Sequence, residues 1–292
     1  MREWRRCPVR GHDTLLTNEP LEPRPAVLPS GPCPLCQASI GPVIAQRKEL
    51  RVVPNGRPWQ RVEDLERVLE PGPLRRWEAP GAHEVIVEGH DHRVAWQDDE
   101  LLVDSALLAR ERMLDLRRDQ RLTDVVWFRQ HGRAAGAKLA HPHSVIWATG
   151  AAPRWTERGC ASCELLADER ARGARAVAIQ ADAMAIASFA PVVDGEVWVL
   201  PRGHVGSLEV TSEAVVAAVA GCLARVLRAL DRVLGTPAFT IGLRAAHGVP
   251  AAHWRFEVRP VLRVPDGLDA LGRHRVHLAP EALARALVAS DG

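Results

Sequence analysis

His131-Gly132-Arg133-Ala134-Ala135-Gly136-Ala137-Lys138-Leu139-Ala140-His141-Pro142-His143-Ser144 is the stretch on which the reading of this 292-residue chain turns. Side chains alternate between faces along an extended strand, so His141 and His143, two positions apart, are expected to point the same way. One imidazole can then serve as a metal ligand while the other stays free as a nucleophile. The glycines and alanines before them let a backbone approach a phosphate closely. This arrangement suits phosphoryl or nucleotidyl transfer through a phospho-histidine. The competing reading is a polar turn with two surface histidines.

Working outward, a strand over 124–128 leads into this stretch. Upstream, a Pro- and Gly-rich lead-in carries Cys33-Pro34-Leu35-Cys36, and an extended run covers 50–55. Residues 82–88 alternate as a strand does and end at His90-Asp91-His92. The spacing of Leu102, Ala106, Ala109, Met113 and Leu116 predicts a helix over 101–121. The second half has the same order. Cys160-Ala161-Ser162-Cys163 opens it, and strands are read at 176–180, 183–189 and 196–200, the last leading to His204. A helix over 212–234 and a strand over 238–243 follow, then His253-Trp254 and an alternating run to Val258. Duplication at a period of roughly 120 residues, which is domain scale, is the economical explanation. The expected fold class is α+β, with two tandem half-domains at 1–150 and 151–292, antiparallel sheets and flanking helices. The sheets can join into one, and the linker falls near Ala151-Ala152-Pro153-Arg154.

An apolar content of 47% is ample for a core, and a net charge of +2 gives no strong pull toward nucleic acid or anionic membrane. Lys48 and Lys138 are the only lysines, an arginine bias better explained by a GC-rich genome than by function. No apolar run approaches the roughly 20 residues of a membrane helix. Met1-Arg2-Glu3-Trp4-Arg5-Arg6-Cys7 is not followed by the apolar stretch of a signal peptide. A cytoplasmic protein is expected.

Four of the six cysteines form two C-x-x-C pairs, which in such a chain favour metal over disulfide. Structural zinc takes four Cys and His ligands. The first half offers Cys33, Cys36, His92 and His141; the second offers Cys160, Cys163, His204 and His253. His90 can replace His92, and His247 can replace His253. Two zinc ions per chain are expected. Cys222 reads as a small buried hydrophobe, and Cys7 has no evident partner.

Residues 82–88, the stretch from His131 to Ala137 and His141-Pro142-His143-Ser144 together resemble the galactose-1-phosphate uridylyltransferase family of the histidine-triad superfamily. Phe189-Ala190-Pro191, the run from Glu196 to His204, and His253-Trp254 resemble its second half. The likeness runs from about Cys33 to Pro280-Glu281-Ala282. It implies two histidine-triad-like halves, a ping-pong exchange between a nucleoside-diphosphate sugar and a sugar 1-phosphate, as in galactose metabolism, and a homodimer, the family's common state. It makes His143 the nucleophile, with zinc on His141, Cys33, Cys36 and His92 pinning the strand. Arg51, Asn55 and Arg57 fall where the family contacts nucleotide or phosphate. Gln130, Gly132, Gly136, Lys138 and Ser144 fall around the reacting phosphate, where backbone N–H groups of 132–137 are expected to help.

Several positions depart from the family. Val145 stands where the family has a glutamine that hydrogen-bonds the phosphate, a loss of about 3–4 kcal/mol of transition-state stabilisation. Lys138 replaces a serine and can offset part of this as a point charge. Gln130 replaces an asparagine, and Cys7-Pro8-Val9-Arg10-Gly11-His12-Asp13 only faintly echoes the family's phosphate-binding opening. Arg255 replaces a second histidine, so the second half is not expected to be catalytic. The rival functions are a zinc-stabilised nucleotide or nucleotide-sugar binding protein that has lost turnover, a nucleotide-sugar phosphorylase or adenylyl transferase, and a hydrolase.

Overall fold

The computed structural model describes residues 3–6, 13–16, 32–36, 41–72, 74–90, 92, 98–150, 159–235, 237–265 and 267–290. Cys7, the rest of the opening segment to residue 12, Asp91 and the expected linker at 151–154 lie outside the described residues.

The first half contributes β1 (Glu3–Arg6), β2 (Asp13–Leu16), β3 (Ala45–Arg47), β4 (Leu50–Pro54), β5 (Arg67–Glu70), β6 (Arg76–Glu78) and β7 (Gly81–Val87). Helix α1 (Asp99–Leu116), β8 (Asp124–His131) and β9 (His143–Thr149) follow. The second half contributes α2 (Ala161–Arg172), β10 (Ala176–Ile179), β11 (Ala183–Ala187), β12 (Val197–Pro201), α3 (Glu213–Leu234), β13 (Phe239–Arg244) and β14 (Arg255–Pro260). Two helices close the chain, α4 (Gly267–Ala270) and α5 (Pro280–Ala289).

Ten strands form one sheet in the order β10-β11-β12-β14-β13-β8-β9-β7-β4-β3. Its pairings are antiparallel, as expected for this α+β class. Read inward from each edge, the halves have the same plan. The strand before the long helix (β7 or β12) pairs with the last strand of its half (β9 or β14), and the strand after the helix (β8 or β13) lies innermost. The halves meet where Phe239 pairs with His131 and Gly242 with Phe128.

Helices α1 and α3 pack together over one face. Leu102, Leu108, Met113, Val216, Leu223 and Leu227 join Ile86, Trp127, Ile146, Ile241 and Phe256 in one core. Asp98 caps α1 by accepting from Leu101 N–H, and Ser212 caps α3 by accepting from Val215 N–H. Helix α1 ends at Leu116, short of the expected residue 121, because the chain turns at once into β8, with Asp119 bonding Arg121 in the turn.

A second, four-stranded sheet, β2-β1-β6-β5, has no counterpart in the sequence reading; nor do α2 and α5. It docks on the large sheet through aromatic rings: Trp4 stacks on Trp77 and on Trp147 of β9. No described helix is long and apolar enough to cross a membrane. Cys222 is fully buried in α3, as read, and burial pushes its thiol pKa up to about 12.

Candidate active site and metal clusters

Strand β9 sorts its residues between two faces. Ser144, Ile146 and Ala148 are fully buried toward the helices. His143, Val145 and Trp147 share the other face and are half-buried. Val87 pairs with His143, and Val145 sits between Val85 and Phe128. His143 Nδ1 lies 2.8 Å from the carbonyl oxygen of His141. A carbonyl only accepts, so Nδ1 carries the proton and the lone pair is left on Nε2.

β9 begins only at His143, so strand alternation does not extend back to His141, which is 1% exposed. His141 thus lies in the turn just before the strand, and the strand periodicity expected for both histidines applies to His143 alone. His141 joins Cys33, Cys36 and His92 in a cluster whose ligand atoms lie within 4.8 Å of one another. Cys36 Sγ is 3.2 Å from His141 Nδ1, and His141 Nε2 is 3.3 Å from the Gly89 carbonyl. Cys160, Cys163, His204 and His253 form the second cluster, within the same 4.8 Å. Here His204 Nε2 and His253 Nε2 each lie 2.9 Å from a carbonyl, of Pro250 and Pro201. In each of these three rings Nδ1 faces sulfur while Nε2–H donates to a backbone carbonyl, which orients the ligating nitrogen. Burial lowers the pKa of His141 and of His253, which favours the neutral form that a metal ligand requires. The four cysteines form no disulfide among the described residues. Both clusters can hold a metal ion. Neither alternative ligand is used: His90 is exposed and outside the first cluster, and His247 Nδ1 bonds Glu209 at 2.9 Å.

The glycine-rich stretch forms a short 3-10 turn, Arg133–Ala135, between Gly132 (φ 74°) and Gly136 (φ 96°). A side chain at Gly136 would meet Gln130 Nε2 at 2.7 Å, besides being strained at that φ. Gln130 donates its amide to the Ala135 carbonyl. It therefore shapes the loop rather than offering that hydrogen to a ligand. The N–H groups of Ala135, Gly136 and Ala137 bond Gly132 and Arg133 carbonyls inside the turn, so these three are not available to a phosphate as expected.

Lys138 is exposed beside this turn and makes no ion pair among the described residues. Ser144 faces the core beneath His143 and does not line the open face, which corrects its expected substrate contact. Arg51 is half-buried, with Nη2 3.5 Å from the Leu35 carbonyl, next to the first cluster. Asn55 accepts from Arg57 N–H (2.9 Å) and meets His83 Nε2 (2.9 Å). In the second half, Arg255 lies over the Trp198 ring (4.2 Å) and pairs with Glu257 (2.7 Å), so the position corresponding to His143 is closed by an ion pair.

His83 is a residue the sequence reading did not single out. It packs on Trp59 and accepts from Trp59 N–H at Nδ1 (3.1 Å). Burial lowers its pKa from 6.5 to about 4. A depressed folded-state pKa gives stability that is present above pH 6.5 and lost as pH falls toward 4. At most about 3 kcal/mol is at stake. Urea unfolding at pH 7 and pH 4 is expected to show a smaller acid loss in His83→Phe than in the wild type; equal losses would discount His83.

No family model matches the chain. Over 154 residues it is 30% identical to galactose-1-phosphate uridylyltransferase of Thermotoga maritima, a match covering 48% of this chain and 48% of that protein. The chain thus spans about half the length of that relative. Over 249 residues it is 24% identical to ADP-glucose phosphorylase of Arabidopsis thaliana, covering 76% of this chain and 68% of that one. Among solved structures, a uridylyltransferase superposes with a TM-score of 0.83 at 21% identity, covering 99% of this chain and 98% of the other. Arabidopsis thaliana ADP-glucose phosphorylase with bound ADP-glucose superposes with a TM-score of 0.72 at 17% identity, covering 99% of each. The fold and its two Cys/His clusters define a duplicated α+β protein of the uridylyltransferase architecture. The chain is thus similar in sequence to a galactose-1-phosphate uridylyltransferase and an ADP-glucose phosphorylase, and it shares the fold of a uridylyltransferase and an ADP-glucose phosphorylase.

Proposed function

We propose that this chain is a nucleotidyltransferase that exchanges sugar phosphates on a nucleoside diphosphate through a nucleotidyl-His143 intermediate. The observation that carries the reading is the His143 ring on the open face, its Nδ1 bonded to the His141 carbonyl and Nε2 left with the lone pair. Nε2 attacks the α-phosphorus of a nucleoside-diphosphate sugar. As the N–P bond forms, the P–O bond to the sugar 1-phosphate breaks and that group leaves with the electron pair. An oxygen of a second sugar phosphate then attacks phosphorus and releases the imidazole. The relatives' names, a galactose-1-phosphate uridylyltransferase and an ADP-glucose phosphorylase, support chemistry at the phosphates of nucleotide sugars.

Two thiols and two imidazoles are the donor set of a closed zinc site, so zinc is the proposed ion at both clusters. Its contribution is structural. Cys33, Cys36, His92 and His141 hold the peptide that His143 leans on. Lys138, exposed beside the Gly132–Gly136 turn, supplies charge to the phosphate where Val145 offers no donor. Val145, flanked by Val85 and Phe128, also favours a second reading: a nucleotide-sugar binding protein with impaired turnover.

The test is incubation with phosphorus-labelled UDP- and ADP-sugars, acid-labile phospho-histidine analysis, and exchange with labelled sugar phosphate. Label on the protein, released by sugar phosphate, is the expected result. Binding without label under every donor supports the second reading.

A further inference from the structure

We infer that Glu88 and Arg129 are positioning residues for His143, acting from the core side of the sheet; this rests on the role proposed for His143. The pair is buried, with side chains 0% and 2% exposed, and meets at 2.8 Å. It lies on the helix-facing side among the large apolar residues of the core. A buried ion pair is commonly no more stabilising than apolar side chains of the same volume. Stability therefore does not explain a charge pair at this place.

Its connections do. Ser105 of α1 donates to Glu88 Oε1 at 3.1 Å, so the carboxylate is held by a helix and by β8 together. The backbone N–H of Glu88 donates to the carbonyl of Pro142 at 3.0 Å. The next residue, Gly89, presents its carbonyl to His141 Nε2 at 3.3 Å. Pro142 has no N–H of its own, which leaves the His-Pro-His peptide few backbone ties. On the far side, Arg129 pairs in register with Ser144, the residue after His143. The carboxylate of Glu88 thus fixes the backbone that holds Pro142. That peptide carries the His141 carbonyl, which is the acceptor for His143 Nδ1. The metal cluster secures the His141 ring, and the ion pair secures the peptide on either side of it.

The test uses the zinc-loaded full chain as Glu88→Gln, Arg129→Met, Arg129→Lys and the double variant Glu88→Leu/Arg129→Met. The double variant removes both charges and is expected to fold. In each variant lacking the pair, kcat for sugar-phosphate exchange is expected to fall about 10–100-fold, the scale of a displacement on the order of 1 Å. KM and metal content are expected to stay within twofold. Arg129→Lys, which keeps the pair, is expected to stay within threefold of wild type. The second readout is the ring-nitrogen NMR signal of His143, assigned with His143→Gln. It is expected to report the Nδ1–H tautomer in the wild type and a mixture of tautomers in the double variant. A double variant with wild-type kcat and an unchanged His143 signal would overturn the inference. A wild type that exchanges nothing with any donor defeats the role proposed for His143 instead. The tautomer signal then decides the positioning alone: a shift supports it, and no shift overturns it.

Discussion

His143→Ala is expected to leave a folded, metal-loaded protein that takes no nucleotide label and loses about 10⁴-fold or more in exchange rate. The loss is large because the residue forms the covalent bond itself; no neighbour on β9 replaces it, since Val145 has no nucleophile and Ser144 is buried on the opposite face. The ring is only half-buried, so its removal opens no core cavity, and the thermal midpoint is expected to change little. His143→Gly with added imidazole is the sharper form of the experiment. A free imidazole filling the vacated space is expected to restore part of the exchange and to leave as a nucleotidyl-imidazole. Undiminished label on His143→Ala would place the nucleophile elsewhere and end the proposal.

Metal removal is expected to produce two separable effects. The second cluster ties the N-terminus of α2, through Cys160 and Cys163, to the segment after β12 through His204 and to the start of β14 through His253. Free energy of metal binding is free energy of folding wherever the site forms only in the folded chain. Cys163→Ser is therefore expected to lower the thermal midpoint by about 5 °C, the equivalent of about 3 kcal/mol in a chain of this size. The large core under α1 and α3 keeps the remainder folded. The first cluster lies at the His-Pro-His peptide, and Cys36→Ser is expected to reduce exchange more than stability. Elemental analysis, with calorimetry and exchange rates side by side, checks both. Equal effects of the two substitutions on both readouts would argue against the division of labour.

Much of this architecture is legible along the chain because it is local or periodic. The alternation at 82–88 became β7, and the helical spacing from Leu102 became α1. The repeated order of C-x-x-C, strand, histidine, helix, strand and histidine pointed to the eight residues that converge as two clusters. One further signal was present: the interval from His92 to His141 equals that from His204 to His253, which alone selects these over His90 and His247. Glu88 also carried a signal. It shares a strand parity with Glu84 and Ile86, and Glu84 and Glu88 are charges on a buried face, each matched by an arginine from another element. The four-stranded sheet left no such trace, since its strands are three or four residues long and its central pairing, β1 with β6, spans some 70 positions of chain.

By itself, the sequence determined the α+β class, the repeated order of parts in the two halves, the residues of the two Cys/His clusters and the imidazole that stands beside the first of them. These follow from period, order and side-chain chemistry, which a chain carries before it folds. Only the tertiary structure decided that Ser144 faces the core, that Gln130 closes its own loop, and that Glu88 and Arg129 meet beneath the His-Pro-His peptide. Those outcomes depend on strand register and on which distant segments pack together. Both are set by the free energy of the whole assembled core rather than by any short stretch.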